Sequence, residues 1–126
     1  MQRQVSPERT GWRDEGISRR HREWGLDCPA IDIDFLLIEY DYGKAMALVE
    51  YKHEYAKEQH STHQSYKALI DLGDRAGIPV FATRYANDYS WWKVTALNEY
   101  ARSYIPECST LTEDEWVRLL KRVRNK

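Results

Sequence analysis

Two carboxylates and a lysine lie within apolar, strand-like sequence, where charged side chains are unexpected. Asp34 belongs to the segment IDIDFLLIEY, and Glu50 and Lys52 are two positions apart in ALVEYK. Converging carboxylates repel each other unless a cation joins them, and their oxygen atoms suit a hard divalent cation such as Mg²⁺. Such an ion can polarise a phosphoryl oxygen and lower the pKa of a water that attacks phosphorus. A neighbouring lysine can orient that water or neutralise charge that develops on the phosphate.

A β-hairpin would bring the two carboxylates together. Residues 31–40 and 45–51 are rich in strand-forming side chains, and a short segment with turn-forming residues and a glycine separates them. This pattern predicts two antiparallel strands joined by a tight turn. If the turn is centred on Tyr42, Asp34 lies directly opposite Glu50.

The position of the turn decides which acidic residue joins the lysine. Glu50 and Lys52 project from the same face, because side chains alternate along a strand. A turn centred one residue earlier would select Asp32 instead of Asp34. The simpler alternative is a salt bridge in which Lys52 pairs with one of these carboxylates and does no chemistry.

The remaining sequence alternates between helical and strand-like patterns. We predict helices over 15–24, 54–77 and 98–104, and strands over 78–85 and 89–95. A last helix begins at Thr112, because Thr112 can cap it while Glu115 reaches back. The order α-β-β-α-β-β-α-α predicts an α/β fold, with a central mixed sheet of about four strands flanked by helices.

The composition is that of an ordinary globular protein of single-domain length. Of the 126 residues, 42% are hydrophobic and 31% are charged, which excludes a disordered chain. We expect one domain over 1–126, with 1–11 as a loose lead-in and the C-terminal helix within 107–126. The sequence has no apolar run suited to a membrane span or a secretory signal, so we expect a cytoplasmic setting with reduced thiols.

The hairpin and the segment that follows it resemble a known group of nucleases. IDIDFLLIEYDYGKAMALVEYK is similar to the core hairpin of the PD-(D/E)XK superfamily, particularly its archaeal Holliday-junction resolvase and VRR-nuclease-like branches. LGDRAGIPVFATRY resembles the helix end and strand that come next in those proteins. The resemblance covers about residues 15–95. It implies a restriction-endonuclease-like fold and Mg²⁺- or Mn²⁺-dependent hydrolysis of DNA phosphodiester bonds that leaves a 5′-phosphate.

The resemblance also implies roles for individual residues. Asp34 and Glu50 would bind the metal together with the carbonyl of Tyr51, and Lys52 would be the catalytic lysine. Some relatives carry a glutamine on the following helix, and Gln64 is the residue here that matches it.

The sequence departs from the superfamily pattern at one point and leaves a choice at another. The Pro-Asp pair of the superfamily name is absent, because Pro29 precedes Asp32 by three residues. Many relatives place a glutamate on the first helix, and Glu15 and Glu23 are both candidates for that position.

Basic residues provide candidate contacts to nucleic acid. The formal net charge is −1, which gives no long-range attraction to phosphates, so local contacts would have to bind DNA. The candidates are Arg13, Arg19, Arg20, Arg22, His53 and Lys93. The alternative for the arginine cluster is a solvated helix face.

Two functions fit these features. The first is an intracellular DNA nuclease of phage or mobile-element type, selective for branched or junction DNA, acting as a homodimer if two strands are cut. The second is a non-catalytic nucleic-acid-binding or scaffold domain that keeps the nuclease fold. A zinc site that joins His60 and His63 to Cys28 or Cys108 is a further alternative.

Overall fold

The structure is a computed structural model that describes residues 15–25, 30–31, 33–57 and 63–125. The chain forms two compact units, Met1–Ile31 and Asp32–Lys126, and the single domain expected over 1–126 stays a prediction. The first unit holds α1 (Glu15–Trp24), which spans the residues predicted for it and is followed by Gly25 at φ 59°. The predicted lead-in over 1–11 lies outside the described residues.

The described part of the second unit is built around one β-sheet. Its strands are β1 (Phe35–Glu39), β2 (Lys44–His53), β3 (Val80–Tyr85), β4 (Trp92–Ala96) and β5 (Cys108–Leu111). Its helices are α2 (Gln64–Ala76), α3 (Glu99–Arg102) and α4 (Glu113–Arg124). The strands lie in the order β1-β2-β3-β4-β5, with β2 and β3 parallel and the other neighbours antiparallel. The predicted α/β architecture with a mixed sheet flanked by helices is confirmed.

The predicted element order is wrong between α3 and α4, where β5 adds a fifth strand. Cys108–Leu111 alternates between exposed and half-buried positions, and Cys108 pairs with Thr95 of β4. Such a short segment with Ser and Thr at its centre has little strand pattern of its own, so pairing with β4 determines its conformation. The C-terminal helix therefore covers Glu113–Arg124 rather than most of 107–126.

Each face of the sheet buries a separate hydrophobic cluster. On the face that α4 covers, Trp116 packs edge-on against Phe81, with ring centroids 5.9 Å apart. On the opposite face, α2 packs Leu69 into a cluster with Leu48 and Val80. We call these the α4 face and the α2 face. Because side chains alternate along a strand, consecutive residues of β2 from Ala47 onward belong to different faces.

Helix α2 lies close against β3 because residue 73 has no side chain. A Cβ atom at Gly73 would lie 2.2 Å from Cγ2 of Val80. The helix starts at the N-cap His63 and ends before Gly77, which adopts φ 70°. It is shorter than the predicted helix over 54–77, since residues 54–56 form a turn and a bend after β2.

Asn98 joins the end of α2, the start of β3 and the start of α3. Its buried amide accepts from the N–H groups of Val80 (3.1 Å) and Ala101 (3.0 Å). It donates to Oδ1 of Asp74 (3.1 Å) and to the carbonyl of Ile78 (2.9 Å). The residue predicted to begin the helix over 98–104 is therefore its N-cap.

Helix α4 begins with the predicted capping box. Thr112 accepts from the N–H of Glu115 at 3.2 Å, and the Glu115 carboxylate accepts from the N–H of Thr112 at 2.9 Å. Trp116, Leu119 and Val123 lie on one side of the helix and are buried. In the described part of the chain, no helix has the length and apolar character needed to cross a membrane.

Candidate active site

The β1–β2 hairpin has the predicted register at its open end. Phe35 pairs with Val49. The next position along each strand therefore sets Asp34 opposite Glu50, as predicted, although the turn is centred between Asp41 and Tyr42 rather than on Tyr42.

A β-bulge produces this register. Nearer the turn, Glu39 pairs with Lys44, and the register shifts by one residue in the middle of β1. An unbroken ladder from that pair would have set Ile33 opposite Glu50. The extra residue in β2 restores Asp34 to this position.

Asp34 is attached to β2 by a hydrogen bond to the backbone. Its Oδ2 accepts from the N–H of Tyr51 at 3.2 Å. Just beyond the end of β1, this carboxylate therefore accepts the hydrogen bond that a backbone carbonyl would accept in a continuous pair of strands. The N–H and C=O of one strand residue point to the same side of the strand, so the Tyr51 carbonyl also points to the side of β2 on which Asp34 lies. Asp32, the alternative acid, lies outside the described residues.

Glu50 lies between a second acid and a lysine. The Nζ atom of Lys52 is 3.5 Å from Oε1 of Glu50, and the side chains of Lys52 and Glu50 are 32% and 14% exposed. Burial, followed by the charge of Asp34, raises the pKa of the Glu50 carboxyl, and Lys52 opposes this shift. The lysine therefore compensates only part of the negative charge at this point. We call Asp34 and Glu50 the acidic pair.

Tyr66, in the first turn of α2, lies within the electrostatic influence of the acidic pair. Burial raises the pKa of its phenol, and the nearby charge of Glu50 raises it further, while Arg84 lowers it. Tyr66 was not among the residues predicted for the site. The sequence offered one signal for it: Tyr66 is the first buried residue of α2, and its side chain ends in a polar hydroxyl group.

Arg84 and Lys93 extend the site across the sheet. Lys52 pairs with Arg84 of β3, and Arg84 pairs with Lys93 of β4. Paired residues project from the same face, so the three cations form a line on the α2 face, beside Glu50. We call Lys52, Arg84 and Lys93 the basic row. The exposed Lys93 was predicted as a phosphate contact, whereas Arg84 was missed although it is a charged residue in an apolar strand.

The loop after β2 is fixed in place by Arg84 and His53. Nη1 of Arg84 donates to three backbone carbonyls of this loop at 2.8–3.1 Å. Nδ1 of His53 accepts from the N–H of Tyr55, so Nε2 carries the proton and donates to Oδ1 of Asn87 at 2.8 Å. Both ring nitrogens of His53, predicted as a nucleic-acid contact, are therefore engaged within the protein.

The remaining predicted residues are Gln64 of α2 and the candidates of the first unit. Gln64 is the exposed first residue of α2, and its side chain makes no hydrogen bond to another described residue. The α1 candidates are all exposed and belong to the first unit: Glu15, Arg19, Arg20, Arg22 and Glu23. Arg13 lies outside the described residues. The roles predicted for α1 stay predictions.

At the candidate site, the described residues contribute two acidic side chains, Asp34 and Glu50, rather than a larger metal-binding cluster. Among them, no group of three or more His, Cys, Asp or Glu side chains is arranged to hold a metal ion. His63 caps α2 and Cys108 lies on β5, while His60 and Cys28, the other members of the alternative zinc site, lie outside the described residues. Oxygen donors at the acidic pair remain the candidate cation ligands.

Comparison with known proteins assigns no family to the chain. No protein-family model matches the sequence, and no curated protein or solved structure matches it either. The resemblance to the PD-(D/E)XK superfamily therefore stays a prediction, and functional inference depends on the geometry of the acidic pair and the basic row.

Proposed function

We propose that the protein is a metal-dependent nuclease that hydrolyses phosphodiester bonds in DNA. One observation carries this proposal: two facing carboxylates and a lysine meet on one face at the end of β2. Asp34 bonds to the backbone of Tyr51, and Glu50 contacts Lys52. A fold held together by its apolar clusters has no structural need for two like charges that face each other.

The donor atoms of the acidic pair fit a hard divalent cation, Mg²⁺ or Mn²⁺. Asp34 and Glu50 would hold the ion with their carboxylate oxygens, and the Tyr51 carbonyl would add a third oxygen. The pKa of Glu50 is raised by burial and by Asp34, so the pair lacks positive charge that a cation would supply. When bound, the ion would stabilise charge on a phosphoryl oxygen and lower the pKa of water at the site.

Lys52 is placed to act on the same phosphate. Its ammonium group is 3.5 Å from Glu50 and the side chain is about one-third exposed, at 32%. The flexible stem lets the charge move from the carboxylate to an incoming phosphate without a change in the strand. Lys52 would then neutralise charge that develops on the phosphate as the bond breaks.

The basic row would position the nucleic acid beside the acidic pair. Adjacent strands are about 4.8 Å apart, so Lys93 lies roughly 10 Å across the sheet from Lys52. This spacing lets separate phosphates of one strand contact the two ends of the row. Arg84 fixes the position of the loop after β2 relative to the basic row through its hydrogen bonds to backbone carbonyls. Binding should weaken as salt concentration rises, because these contacts release counterions.

The preferred substrate is branched or junction DNA. A sheet face with one row of cations offers few groups for reading base sequence, so recognition would depend on the shape of the DNA backbone. Cleavage of two strands would require a second acidic pair, which a homodimer would supply.

Cleavage assays with full-length protein test this proposal. Plasmid, single-stranded, branched and RNA substrates would be incubated with Mg²⁺, Mn²⁺ or EDTA. We expect cation-dependent cleavage that falls at least about 100-fold in both Glu50→Gln and Lys52→Ala. Glu107→Gln and Lys67→Ala change exposed residues outside the site and serve as matched controls.

Two results would contradict the proposal. One is the absence of cleavage on every substrate with either cation. The other is full activity in both Glu50→Gln and Lys52→Ala. Cation-independent binding of branched DNA without cleavage would instead support the alternative of a non-catalytic nucleic-acid-binding domain.

A further inference from the structure

An aromatic cleft lies on the α4 face, behind the proposed active site. It encloses about 450 Å³, which is within the range of small-ligand pockets. Aromatic side chains from four strands and the turn between β3 and β4 dominate its lining: Phe35, Tyr51, Tyr85, Tyr89 and Trp92. None of the described residues that line it is charged.

Three of these rings are nearly parallel. The centroids of Tyr85 and Tyr89 are 5.7 Å apart with an interplanar angle of 10°. Trp92 lies 5.6 Å from Tyr85 at 30° and 5.9 Å from Tyr89 at 24°. Offset parallel rings at these distances attract one another and form one extended aromatic surface.

The Tyr51 ring stands roughly at right angles to this surface, and the Phe35 ring stands at right angles to Tyr51. Tyr51 meets Tyr85 at 75°, and Phe35 meets Tyr51 at 85°. The Tyr51 hydroxyl accepts from Nε1 of Trp116 at 3.1 Å, which fixes the orientation of the ring. The cleft is therefore shaped before any ligand binds, although Phe35 remains 60% exposed.

Tyr89 occupies a strained backbone position at the rim of the cleft. It adopts φ 62°, and it is the non-glycine residue with positive φ among those described. Its carbonyl accepts from Nε1 of Trp92 at 3.2 Å, and its N–H donates to the carbonyl of Ala86 at 2.8 Å. The predicted strand over 89–95 accordingly begins at Trp92. These bonds hold in place a ring that is 54% exposed, and such strain is typical of ligand-binding sites.

The cleft and the basic row occupy opposite faces of the same sheet end. Arg84 and Tyr85 are the last residues of β3, and Trp92 and Lys93 are the first of β4. Side chains alternate, so each cation lies beside an aromatic residue that projects to the other face. The turn that carries Tyr89 connects the two faces at this end of the sheet.

We propose that the aromatic cleft binds an unpaired nucleobase of the strand whose phosphates contact the basic row, an inference that rests on the proposed nuclease function. Charge complementarity favours this occupant: the cations match phosphates, and the uncharged aromatic lining matches a flat base. A strand that crosses the turn would place its phosphates on the α2 face and one base in the cleft. Stacking on aromatic rings suits any base, so the site would recognise single-stranded character rather than sequence.

Binding measurements with full-length protein in EDTA test the cleft without cleavage. The probe is a labelled single-stranded oligonucleotide of about twelve nucleotides, in DNA and RNA forms. We expect Tyr89→Gly to weaken binding roughly 10-fold, since one stacking partner is lost. Glycine accepts φ 62° without strain, so this variant should fold at least as well as the parent. Tyr42→Ala removes an exposed tyrosine outside the cleft and is the matched control.

An oligonucleotide that contains abasic sites completes the test. The parent protein should bind it roughly 10-fold more weakly than the intact strand, whereas Tyr89→Gly should show little difference between the two. Equal binding of both strands by the parent would overturn the proposal. So would a Tyr89→Gly variant that binds like Tyr42→Ala, or a free mononucleotide that binds as tightly as the strand.

The cleavage and binding results can fail independently. Cation-dependent cleavage with no effect of Tyr89→Gly or of abasic sites would refute the base site and leave the nuclease function intact. Selective loss of single-strand binding in Tyr89→Gly, without cleavage under any condition, would support the base site and refute the nuclease function. A preference between DNA and RNA would identify the source of the base.

Discussion

The strongest quantitative prediction concerns the repulsion within the acidic pair. Directly opposed residues of antiparallel strands have Cβ atoms about 5 Å apart, and two unit charges at that distance repel by about 3 kcal/mol at an effective dielectric constant near 20. Lys52 lies 3.5 Å from Glu50 and offsets part of this. We therefore expect Glu50→Gln to stabilise the protein by about 1 kcal/mol in EDTA, within the range of other stabilising substitutions.

A double-mutant cycle isolates that repulsion. Asp34→Asn retains an oxygen that can accept from the N–H of Tyr51, and it removes the same unfavourable interaction as Glu50→Gln. The two substitutions should therefore be non-additive by about 1 kcal/mol. Urea unfolding of the parent, both single variants and the double variant at pH 7.5 would measure this coupling. Glu107→Gln provides the control for removal of an unrelated charge.

Divalent cations should reverse the order of stability. At a Mg²⁺ concentration about 100 times its Kd, binding would add about 2.7 kcal/mol to the parent protein. Glu50→Gln would gain much less, because one charged ligand is lost. Equal stabilisation of the parent and both variants by Mg²⁺, or a Glu50→Gln variant that is less stable in EDTA, would refute the assignment of the acidic pair as a cation site.

The pH dependence follows from the raised pKa of Glu50. The folded protein binds this proton more tightly than the unfolded chain does. The parent therefore loses stability as pH rises from the ordinary pKa of 4.5 through the raised value. In EDTA, Glu50→Gln should therefore have the same stability as the parent below this pH range and its full stabilising effect above it. An advantage that is the same at acid and neutral pH would contradict the explanation.

Two further predictions concern the elements that support the site. Gly73→Ala should lower the free energy of unfolding by about 1–2 kcal/mol, because a clash with Val80 exceeds the gain in helix propensity. Urea unfolding would measure this loss, with Ala68→Gly as the control that changes helix propensity alone. Hydrogen bonds from Thr112 lower the pKa of Glu115, so the folded protein releases this proton more readily than the unfolded chain. The stabilisation is present above pH 4.5 and is lost as pH falls through the lowered pKa, so thermal melts of Glu115→Gln should show a weaker acid dependence than the parent. An unchanged stability in Gly73→Ala, or an identical acid dependence in Glu115→Gln, would contradict these assignments.

The hairpin illustrates what the sequence can predict about the site. Strand-forming residues around a glycine-containing turn predicted Asp34 opposite Glu50, and the observed register agrees at that end of the hairpin. The bulge that maintains this register was not predictable. It occurs where Met46 begins a run of consecutive buried residues, and the burial of such a run depends on helices that pack from elsewhere in the chain.

The remainder of the site depends on long-range pairing. Arg84 and Lys93 join Lys52 only because β3 lies parallel to β2 and β4 pairs with β3. Tyr66 comes within the electrostatic influence of Glu50 because α2 packs on that face. A sequence pattern indicates the type of each element but not the neighbours that it will have, so Arg84 and Tyr66 were missed. The strand β5 was missed because pairing with β4, rather than its own four residues, determines its conformation.

The mixed direction of the sheet has a consequence for the order in which the chain folds. Tyr51 and Asp34 are 17 positions apart, whereas His53 and Arg84, which meet across the parallel strands, are 31 positions apart. Closing a loop of about twice the length costs roughly 0.6 kcal/mol more, and the parallel pairing also requires a formed α2. The hairpin should therefore form first and bring its two carboxylates together before Arg84 arrives. Mg²⁺ should then increase the refolding rate as well as the stability, a kinetic role for the cation that precedes any contact with substrate.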